Sequence, residues 1–346
     1  NIPRLNYPMI DGVVSGCPSL LLEPTRTNLI QYSEDFTDAS WLPTDATVVS
    51  GVISPDGTSN AFTFSNTASN GIIQKEVSLT GLRVFSIFAK KGTHRYLRIG
   101  AYGGTNSYGN FDLENGVVTD GANANIEDYG NGWFRCICHS ADGATGGVQI
   151  FPSNNTIGAA TTNGSIQIYG AQLEQGSYAT SYIPTSGSVV TRVQDVCIQT
   201  VSEGIVNENE MTLYCELEYI GGTNIIAMSV HDNLNSVIWL NIEADLTVTG
   251  ANFYGVFYGV STSTTSLELN NKYKIAYRTK NGDSALYING VLEASSSETI
   301  ANPNILNRVQ LGGFWTNANT DGNFKIIEAK CYNNGLSNAE LAALTS

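Results

Sequence analysis

The sequence predicts an all-β protein that folds as two antiparallel β-sandwiches. Three observations carry this prediction. The composition favours tight turns, with 35 glycines among 346 residues and only 14% charged residues. Short stretches of alternating apolar and polar residues recur between Gly, Asn, Asp and Ser, as expected for strands with one buried face. Before Leu336 no segment has the length and period of an amphipathic helix, which argues against helical and α/β folds.

The length of the chain sets the expected number of domains. At roughly 150 residues per domain, 346 residues are enough for two domains with a core each. The stretch "YIPTSGSVVTR", which starts at Tyr182, combines a proline with a cluster of small residues and indicates an exit from the first domain. We therefore expect a lead-in over residues 1–27, a first sandwich over 28–195 and a second sandwich over 196–346.

Strand-like stretches fill both expected sandwiches. In the first they are "NAFTFS", "RVFSIFAKKG", "RYLRIGAYGG", "GNFDLENGVV", "GWFRCICHS", "GVQIFPS" and "SIQIYGAQLE". This unbroken succession indicates an antiparallel sandwich of the jelly-roll kind. In the second they are "EMTLYCELEYI", "IIAMSVHD", "SVIWLNIEADLTV", "NFYGVFYGV", "KYKIAYRTKNGDSALYINGVLEAS", "NRVQLGGFW" and "GNFKIIEAKCYNN".

Local signals predict turns and one helix in the second half. Asn289 and Gly290 both accept positive φ and separate two alternating stretches, so they predict a tight hairpin turn. The "NGD" after Lys280 predicts a second hairpin turn for the same reason. Ser337 and Glu340 have the spacing of a capping box, which predicts a short helix in "LSNAELAALTS".

The charge and hydropathy patterns exclude two classes of partner. A net charge of −14 repels nucleic-acid phosphates and anionic membrane surfaces. No stretch reaches the roughly 20 apolar residues of a membrane-spanning helix, and the run from Pro18 to Leu22 is too short for a secretion signal. We expect neither nucleic acid nor membrane insertion. Because the chain opens at Asn1 without methionine, we also expect it to be a mature fragment or the back part of a longer polypeptide.

The six cysteines are predicted to be reduced rather than paired. Cys136 and Cys138 lie at i and i+2 of "WFRCICHS", on one face of a strand, where a disulfide between them would be strained. This spacing suits two small core residues. Reduced thiols in turn fit assembly in a reducing compartment. Zinc is not expected, because the sequence has no C-x-x-C and its three histidines are far apart.

The second half resembles the concanavalin A-like lectin and laminin G-like sandwich family. The resemblance is carried by "NNKYKIAYRTKNGDSALYINGVLEAS", "RVQLGG" and "FKIIEAKCYNNGLSNAELAALT", which occur in the family's order. It covers about Asn209 to Thr345. The family resemblance implies a lectin-like second domain.

The first half resembles a module of bacteriophage tail-fibre and other virion surface proteins, and distantly the jelly-roll carbohydrate-binding modules. The resemblance is carried by "PSLLLEPTRTNLIQYSEDFTDASW", "NGWFRC" and "IQIYGAQLEQGSYATSYIPTSGSVVTR", from Pro18 to about Asp195. It implies a virion surface or fibre protein, assembled in the bacterial cytoplasm, that binds host glycans and other virion proteins. By analogy with such fibres we expect a homotrimer. Two alternatives stay open, namely the carbohydrate-binding end of a secreted polysaccharide-degrading enzyme and a purely structural decoration protein.

No catalytic motif is complete. "EADLTV", from Glu243 to Val248, resembles the Glu-x-Asp-x-x-Glu signature of laminarinase-type glycosidases, but Val248 replaces the acid that the family uses for protonation. We therefore expect a protein that is not an enzyme, and we expect Glu243 and Asp245 to form a solvated strand end.

The candidate saccharide-binding residues are aromatic residues with polar neighbours in the sequence. Sugars offer CH faces that stack on aromatic rings and hydroxyls that form hydrogen bonds. The alternative for each aromatic residue is packing in a loop, core or interface. Trp41 and Trp133 are expected in the core instead. The predicted ligand-binding residues are Trp315, Asn317, Asn319 and Asp321 in one loop, Tyr254 and Tyr258 on one strand face, and Tyr102 and Tyr108 around "GGTNSYGN".

A structural Ca²⁺ is a further expectation from the resemblance to jelly-roll binding modules, which often hold this ion between their first and last strands. In this sequence those ends offer Glu34 and Asp35 against Glu174. Carboxylates are the hard oxygen ligands that Ca²⁺ needs. The alternative is that these acids are exposed loop residues.

Overall fold

The computed structural model describes the whole chain except residues 1–3, 7–8, 11–12, 15–17, 103–106, 141–145, 196, 203–204, 208, 223, 233–235, 255–256, 301–304 and 314–321. The chain divides into two compact units. The first sandwich comprises Pro8–Gly16 and Arg26–Arg192, and the second sandwich comprises Asn1–Tyr7, Cys17–Thr25 and Val193–Ser346. Both are antiparallel β-structures, which confirms the predicted fold class.

The strands follow one another with short connections. The first eighteen are β1 (Arg4–Asn6), β2 (Met9–Ile10), β3 (Val13–Val14), β4 (Ser19–Leu22), β5 (Arg26–Asn28), β6 (Leu42–Thr44), β7 (Ala46–Val52), β8 (Ala61–Asn66), β9 (Ile72–Glu76), β10 (Arg83–Lys91), β11 (Tyr96–Tyr102), β12 (Ser107–Asp112), β13 (Val117–Asp120), β14 (Ala124–Asp128), β15 (Trp133–Ser140), β16 (Gly147–Ser153), β17 (Gly164–Gln175) and β18 (Val190–Arg192). The others are β19 (Cys197–Thr200), β20 (Glu210–Gly221), β21 (Ile225–His231), β22 (Ser236–Ile242), β23 (Thr247–Tyr254), β24 (Phe257–Ser266), β25 (Lys272–Lys280), β26 (Ser284–Ile288), β27 (Val291–Ser296), β28 (Arg308–Leu311) and β29 (Asn323–Tyr332), before the helix α1 (Asn338–Thr345).

The first sandwich packs two six-stranded sheets over one core. The β10 sheet has the order β14-β15-β10-β17-β8-β7, and the β11 sheet has the order β13-β12-β11-β16-β9-β6. Alternate residues of both sheets point inward because side chains of a strand alternate between its faces. The resulting core is rich in aromatic and β-branched residues and includes Phe64, Phe85, Ile99, Phe111 and Ile150.

The second sandwich packs a seven-stranded sheet against a six-stranded one. The β20 sheet has the order β1-β4-β29-β20-β25-β26-β27, and the β22 sheet has the order β19-β28-β21-β22-β23-β24. Their inner faces share one apolar cluster. On the opposite face of the β20 sheet, the fully buried Leu341 of α1 packs with Tyr214 and Tyr287. In the described part of the chain, no helix is long and apolar enough to cross a bilayer.

The segment expected as a lead-in contributes two strands to the second sandwich. Strand β4 pairs with β29, with Leu22 opposite Phe324, and β1 pairs with β4, with Arg4 opposite Leu21. The physical reason is burial of the apolar run, because Leu22 is only 2% exposed and packs into the core.

Local expectations at the turn and at the helix start are confirmed. Asn289 and Gly290 have φ of 48° and 83°, as the hairpin turn requires. The hydroxyl of Ser337 accepts a hydrogen bond from the Glu340 main-chain nitrogen, and the Glu340 carboxylate accepts one from the Ser337 nitrogen, which completes the capping box.

Core expectations are confirmed as well. Trp41 and Trp133 are each 2% exposed. Cys136 and Cys138 lie on the inner face of β15 and are buried in the core of the first sandwich. Burial raises the pKa of both thiols, which keeps them protonated and unreactive.

Histidines are held in desolvated positions. His94 Nε2 lies 3.0 Å from Asn66 Oδ1 and 3.1 Å from the Thr162 carbonyl oxygen, so this nitrogen donates to two acceptors. Burial lowers the pKa of His94, and burial also lowers the pKa of His139 and His231. The folded protein therefore holds neutral histidines where an unfolded chain would begin to protonate.

Stability is expected to fall between about pH 7.5 and about pH 5.5. Unfolded histidines protonate near their usual pKa of about 6.5, whereas the folded histidines stay neutral to lower pH, so proton uptake favours unfolding as the pH drops through this value. Carboxylates contribute only below about pH 5, where they begin to protonate. Hydrogen exchange of the β10 sheet during a urea series at the two pH values measures the fall in the first sandwich. His94→Gln keeps an N–H donor for Asn66 and is expected to show a smaller fall, whereas an unchanged fall would contradict this origin.

Candidate functional site

The candidate site is an open cleft on the outer face of the β22 sheet. Along β22, Ile238, Leu240 and Ile242 point into the core of the second sandwich. The alternate residues Trp239 and Asn241 therefore point to the outer face, because successive side chains of a strand lie on opposite sides. Strands β23 and β24 extend this face on one side.

The cleft has a volume of about 800 Å³. Its floor and walls come from three adjacent strands and the turn between two of them. The lining residues are Trp239, Asn241, Glu243, Ala244, Asp245, Thr247, Thr249, Ala251 and Thr262. One large aromatic side chain thus shares a sheet surface with short polar side chains, which is the usual composition of a small-ligand site.

The residues around Trp239 position its indole ring as a surface on which a ligand can stack. It lies opposite Ala251 in the β22–β23 register, so the side chain next to it on the sheet is only a methyl group. Its ring stacks beside Phe253, with 6.4 Å between centroids and 23° between planes. Trp239 is partly exposed. The paired strands hold the ring in place, and such preorganisation lowers the entropic cost of binding.

The polar side chains of the cleft are connected to one another by hydrogen bonds. Asn241 Nδ2 donates to Glu243 Oε1 at 2.9 Å. Asp245 Oδ1 accepts from both the main-chain nitrogen and the hydroxyl of Thr247, at 3.1 and 2.6 Å. The hydroxyls of Thr249 and Thr262 lie 3.0 Å apart across β23 and β24.

The charge state of Asp245 limits the chemistry of the cleft. Its hydrogen bonds from Thr247 lower the pKa of this exposed carboxyl, so Asp245 stays ionised at neutral pH. A glycosidic acid catalyst needs the opposite, a carboxyl with a raised pKa. The arrangement at Asp245 therefore suits recognition of a ligand by an anionic acceptor.

The predicted loop site falls outside the described residues, since Trp315, Asn317, Asn319 and Asp321 all lie within 314–321. Tyr254 ends β23 and Tyr258 lies in β24, but their side chains are also outside the described part. Their predicted placement on one strand is wrong, because the chain reverses between them and Tyr258 pairs opposite Asn252. Their role as ligand contacts stays a prediction.

Tyr102 and Tyr108 are described, and they belong to neighbouring strands of the β11 sheet. The Tyr108 hydroxyl donates to Gln149 Oε1 at 2.6 Å, and the Arg98 guanidinium lies 4.0 Å from the centre of the Tyr108 ring. That ring face is thus already covered. The Tyr102 hydroxyl is buried and has no hydrogen-bond partner in the described residues. A ligand role for both tyrosines stays a prediction.

The carboxylates proposed for Ca²⁺ each have their own protein partners. Glu174 is fully buried and accepts hydrogen bonds from the Thr180 nitrogen and hydroxyl. Glu34 accepts from the Tyr169 and Tyr182 hydroxyls at 2.8 and 3.3 Å. Asp35 closes a turn onto the Thr37 nitrogen at 2.9 Å. Among the described residues no group of three or more His, Cys, Asp or Glu side chains could hold a metal, and the calcium site stays a prediction.

Sequence reasoning missed both Trp239 and Asn241. The signal was present in "SVIWLNIEADL", where Trp239, Asn241 and Glu243 alternate with Ile238, Leu240 and Ile242. One aromatic and two polar residues on the solvent side of a regular strand indicate a candidate ligand-binding surface. Glu243 and Asp245 were expected as a solvated strand end, and the structure places both at the margin of the cleft.

Comparison with known proteins gives matches to solved structures only, with low TM-scores. No family model and no curated protein matches the sequence. A domain of an extracellular arabinanase from Geobacillus stearothermophilus, solved with arabinotriose, is 16% identical over 46% of this chain and 73% of its own, with a TM-score of 0.35. A Bacteroides ovatus protein described as carbohydrate-binding is 11% identical over 82% of this chain and 78% of its own, with a TM-score of 0.34.

An enzyme is among the similar structures too. A sialidase mutant from Trypanosoma rangeli with trans-sialidase activity is 16% identical over 39% of this chain, with a TM-score of 0.32. This chain spans only 22% of the sialidase. These TM-scores are too low to carry a functional conclusion for this chain.

Proposed function

We propose that this protein binds saccharides without catalysing their cleavage, and that the cleft of the second sandwich is the binding site. The observation that carries the proposal is the position of Trp239 in the cleft, opposite the small side chain of Ala251 and on the same lining surface as Asn241. A pyranose ring can stack its CH face on the indole and direct its hydroxyls to the neighbouring polar groups.

The position of Val248 supports binding rather than catalysis. In the signature that "EADLTV" resembles, the last position carries the proton donor, but Val248 is 1% exposed and points into the core. Asp245 stays ionised through its contacts with Thr247. A core residue therefore occupies the position at which that signature carries the proton donor, and the carboxyl of Asp245 is ionised.

The test is binding of oligosaccharides to the whole chain, first on a glycan array and then by calorimetry. Trp239→Ala is expected to weaken binding by about 10- to 30-fold, because aromatic anchors at the centre of a site carry much of its affinity. Trp239→Phe keeps a ring and is expected to lose less. Leu269→Ala serves as the matched control, since Leu269 is 60% exposed and does not line the cleft. Binding that survives Trp239→Ala unchanged would place the site elsewhere.

The biological setting rests on the sequence resemblance of the first half. We propose a virion surface or fibre role on that resemblance, with the end of a secreted polysaccharide-degrading enzyme as the alternative. The parent reading frame separates them, because virion-attachment repeats favour the fibre and a catalytic domain favours the enzyme.

A further inference from the structure

We propose that the cleft of the second sandwich prefers a protonated amino sugar, that is, a saccharide with an unacetylated amine, over neutral and acidic sugars. The inference rests on the proposed function, since it names the ligand class for the same site. It follows from the charges of the lining residues and from which of their hydrogen-bonding atoms are already used.

Asn241 carries an unpaired acceptor beside the cleft. Its Nδ2 is used by Glu243 Oε1, at 2.9 Å. Its Oδ1 is buried and has no hydrogen-bond partner within the described part of the chain. Rotation of the Asn241 side chain toward the cleft would expose this oxygen to a ligand N–H, which would satisfy it.

The two carboxylates add further acceptors. Glu243 receives the Asn241 amide on Oε1, which leaves Oε2 for a ligand. Asp245 receives both Thr247 bonds on Oδ1, which leaves Oδ2. An ionised carboxylate can only accept hydrogen bonds. These atoms therefore call for a donor, and preferably for a positively charged one.

The hydroxyl groups of the cleft do not balance this excess of acceptors. The Thr249 and Thr262 hydroxyls bond to each other, and the Thr247 hydroxyl is committed to Asp245. Among the described residues that line the cleft, two are acidic and none is Lys or Arg. An ammonium group supplies three N–H donors and one positive charge, and it can also lie over the electron-rich face of Trp239.

The same arrangement disfavours the alternatives. A uronic acid or a sialic acid would bring a carboxylate against Glu243 and Asp245, and like charges at short range repel. Acetylation of the amine removes the charge and two of the three donors. A neutral hexose keeps its stacking on Trp239 but offers weaker, uncharged hydrogen bonds.

The experiment compares four hexamers by calorimetry on the whole chain, at a mildly acid pH at which a sugar amine is protonated. They are the β-1,4-linked hexamers of glucose, N-acetylglucosamine and glucosamine, and a hexamer of uronic acid. We expect the glucosamine hexamer to bind about tenfold more tightly than the glucose and N-acetylglucosamine hexamers, the difference that a charge-assisted hydrogen bond supplies. No binding is expected for the uronic acid.

Two variants locate the effect. Glu243→Gln preserves shape and is expected to remove most of the preference for the amine. Glu328→Gln makes the same change in net charge on β29, in the opposite sheet, and is expected to leave the preference intact. A lysine hexamer of similar charge controls for general attraction to an acidic protein, and we expect Trp239→Ala to weaken the sugar but not the peptide.

The outcomes separate this inference from the proposed function. Equal binding of the glucose and glucosamine hexamers, lost in Trp239→Ala, would overturn the amine preference and leave the saccharide site standing. Binding of the glucosamine hexamer that Glu328→Gln weakens as much as Glu243→Gln would also overturn it, because the attraction would then be general. Absence of cleft-dependent binding by all four hexamers would count against both.

Discussion

Replacing Arg4 with methionine is expected to lower the free energy of unfolding of the second sandwich by about 2–3 kcal/mol. Arg4 forms ion pairs with Glu23 and Asp195, whose side chains are only 2% and 6% exposed. Glu23 and Asp195 also join their main chains, because the Asp195 nitrogen donates to the Glu23 carbonyl at 2.9 Å. Without Arg4, both buried carboxylates lose their ion pairs with its guanidinium. The expected loss is smaller than the roughly 3–5 kcal/mol of a fully buried pair because Arg4 is 32% exposed.

Hydrogen exchange of the β20 sheet during a urea series measures this loss, because a two-domain chain has no single unfolding free energy. Lys330→Met is the matched control. It breaks an ion pair with Glu328 in which both side chains are more than 40% exposed, and a change below about 0.5 kcal/mol is expected. Adding Glu23→Gln and Asp195→Asn to Arg4→Met is expected to restore part of the stability. Equal effects of Arg4→Met and Lys330→Met would contradict a special role for this cluster.

Replacing Gly250 with alanine is expected to cost about 3 kcal/mol of the stability of the second sandwich and to weaken saccharide binding with it. Gly250 faces inward on β23, and a Cβ there would overlap the ring of Tyr277. Tyr277 is fully buried and accepts a hydrogen bond from Asn252 Nδ2 at 3.2 Å, so the ring cannot swing away. Overpacking of this kind costs about 1–3 kcal/mol, and the rigid ring places Gly250 at the upper end. The strain also reaches the cleft, since Thr249 and Ala251 flank Gly250 on its other face.

The same hydrogen-exchange series measures the effect, with calorimetry for binding. Gly335→Ala is the matched control in the second sandwich, because its added methyl group meets only side-chain atoms at 3.2 Å or more. A second variant, Gly250→Ala with Tyr277→Leu, makes room for the methyl group and is expected to recover part of the stability. Wild-type stability in Gly250→Ala alone would show that β23 and Tyr277 can move apart.

Features that depend on short stretches of chain could be read from the sequence. The Asn289–Gly290 turn and the Ser337–Glu340 cap need only residues within a few positions of each other, so local backbone and hydrogen-bond preferences determine them. Strand identity follows in the same way, because alternation along one strand reports burial of one face. This is why the all-β class could be predicted.

Features that depend on which strands become neighbours could not be predicted. Arg4 and Asp195 are separated by 191 positions, and only the sheet order brings β1 near the residues that follow the first sandwich. The strand β4 pairs with β29 although roughly 300 residues lie between them. Strand pairing over such distances depends on the packing of the whole core, and no local pattern specifies it.

The cleft combines both kinds of information. By itself the sequence determined that Trp239 and Asn241 share one face of a strand, because a strand repeats every two residues, and that Glu243 follows at the strand's end. Only the tertiary structure decided that β23 and β24 lie beside that face, that Ala251 stands next to the indole, and that Val248 points into the core. The reason is physical: side-chain alternation is a property of one strand, whereas a binding surface forms from strands that the fold brings together.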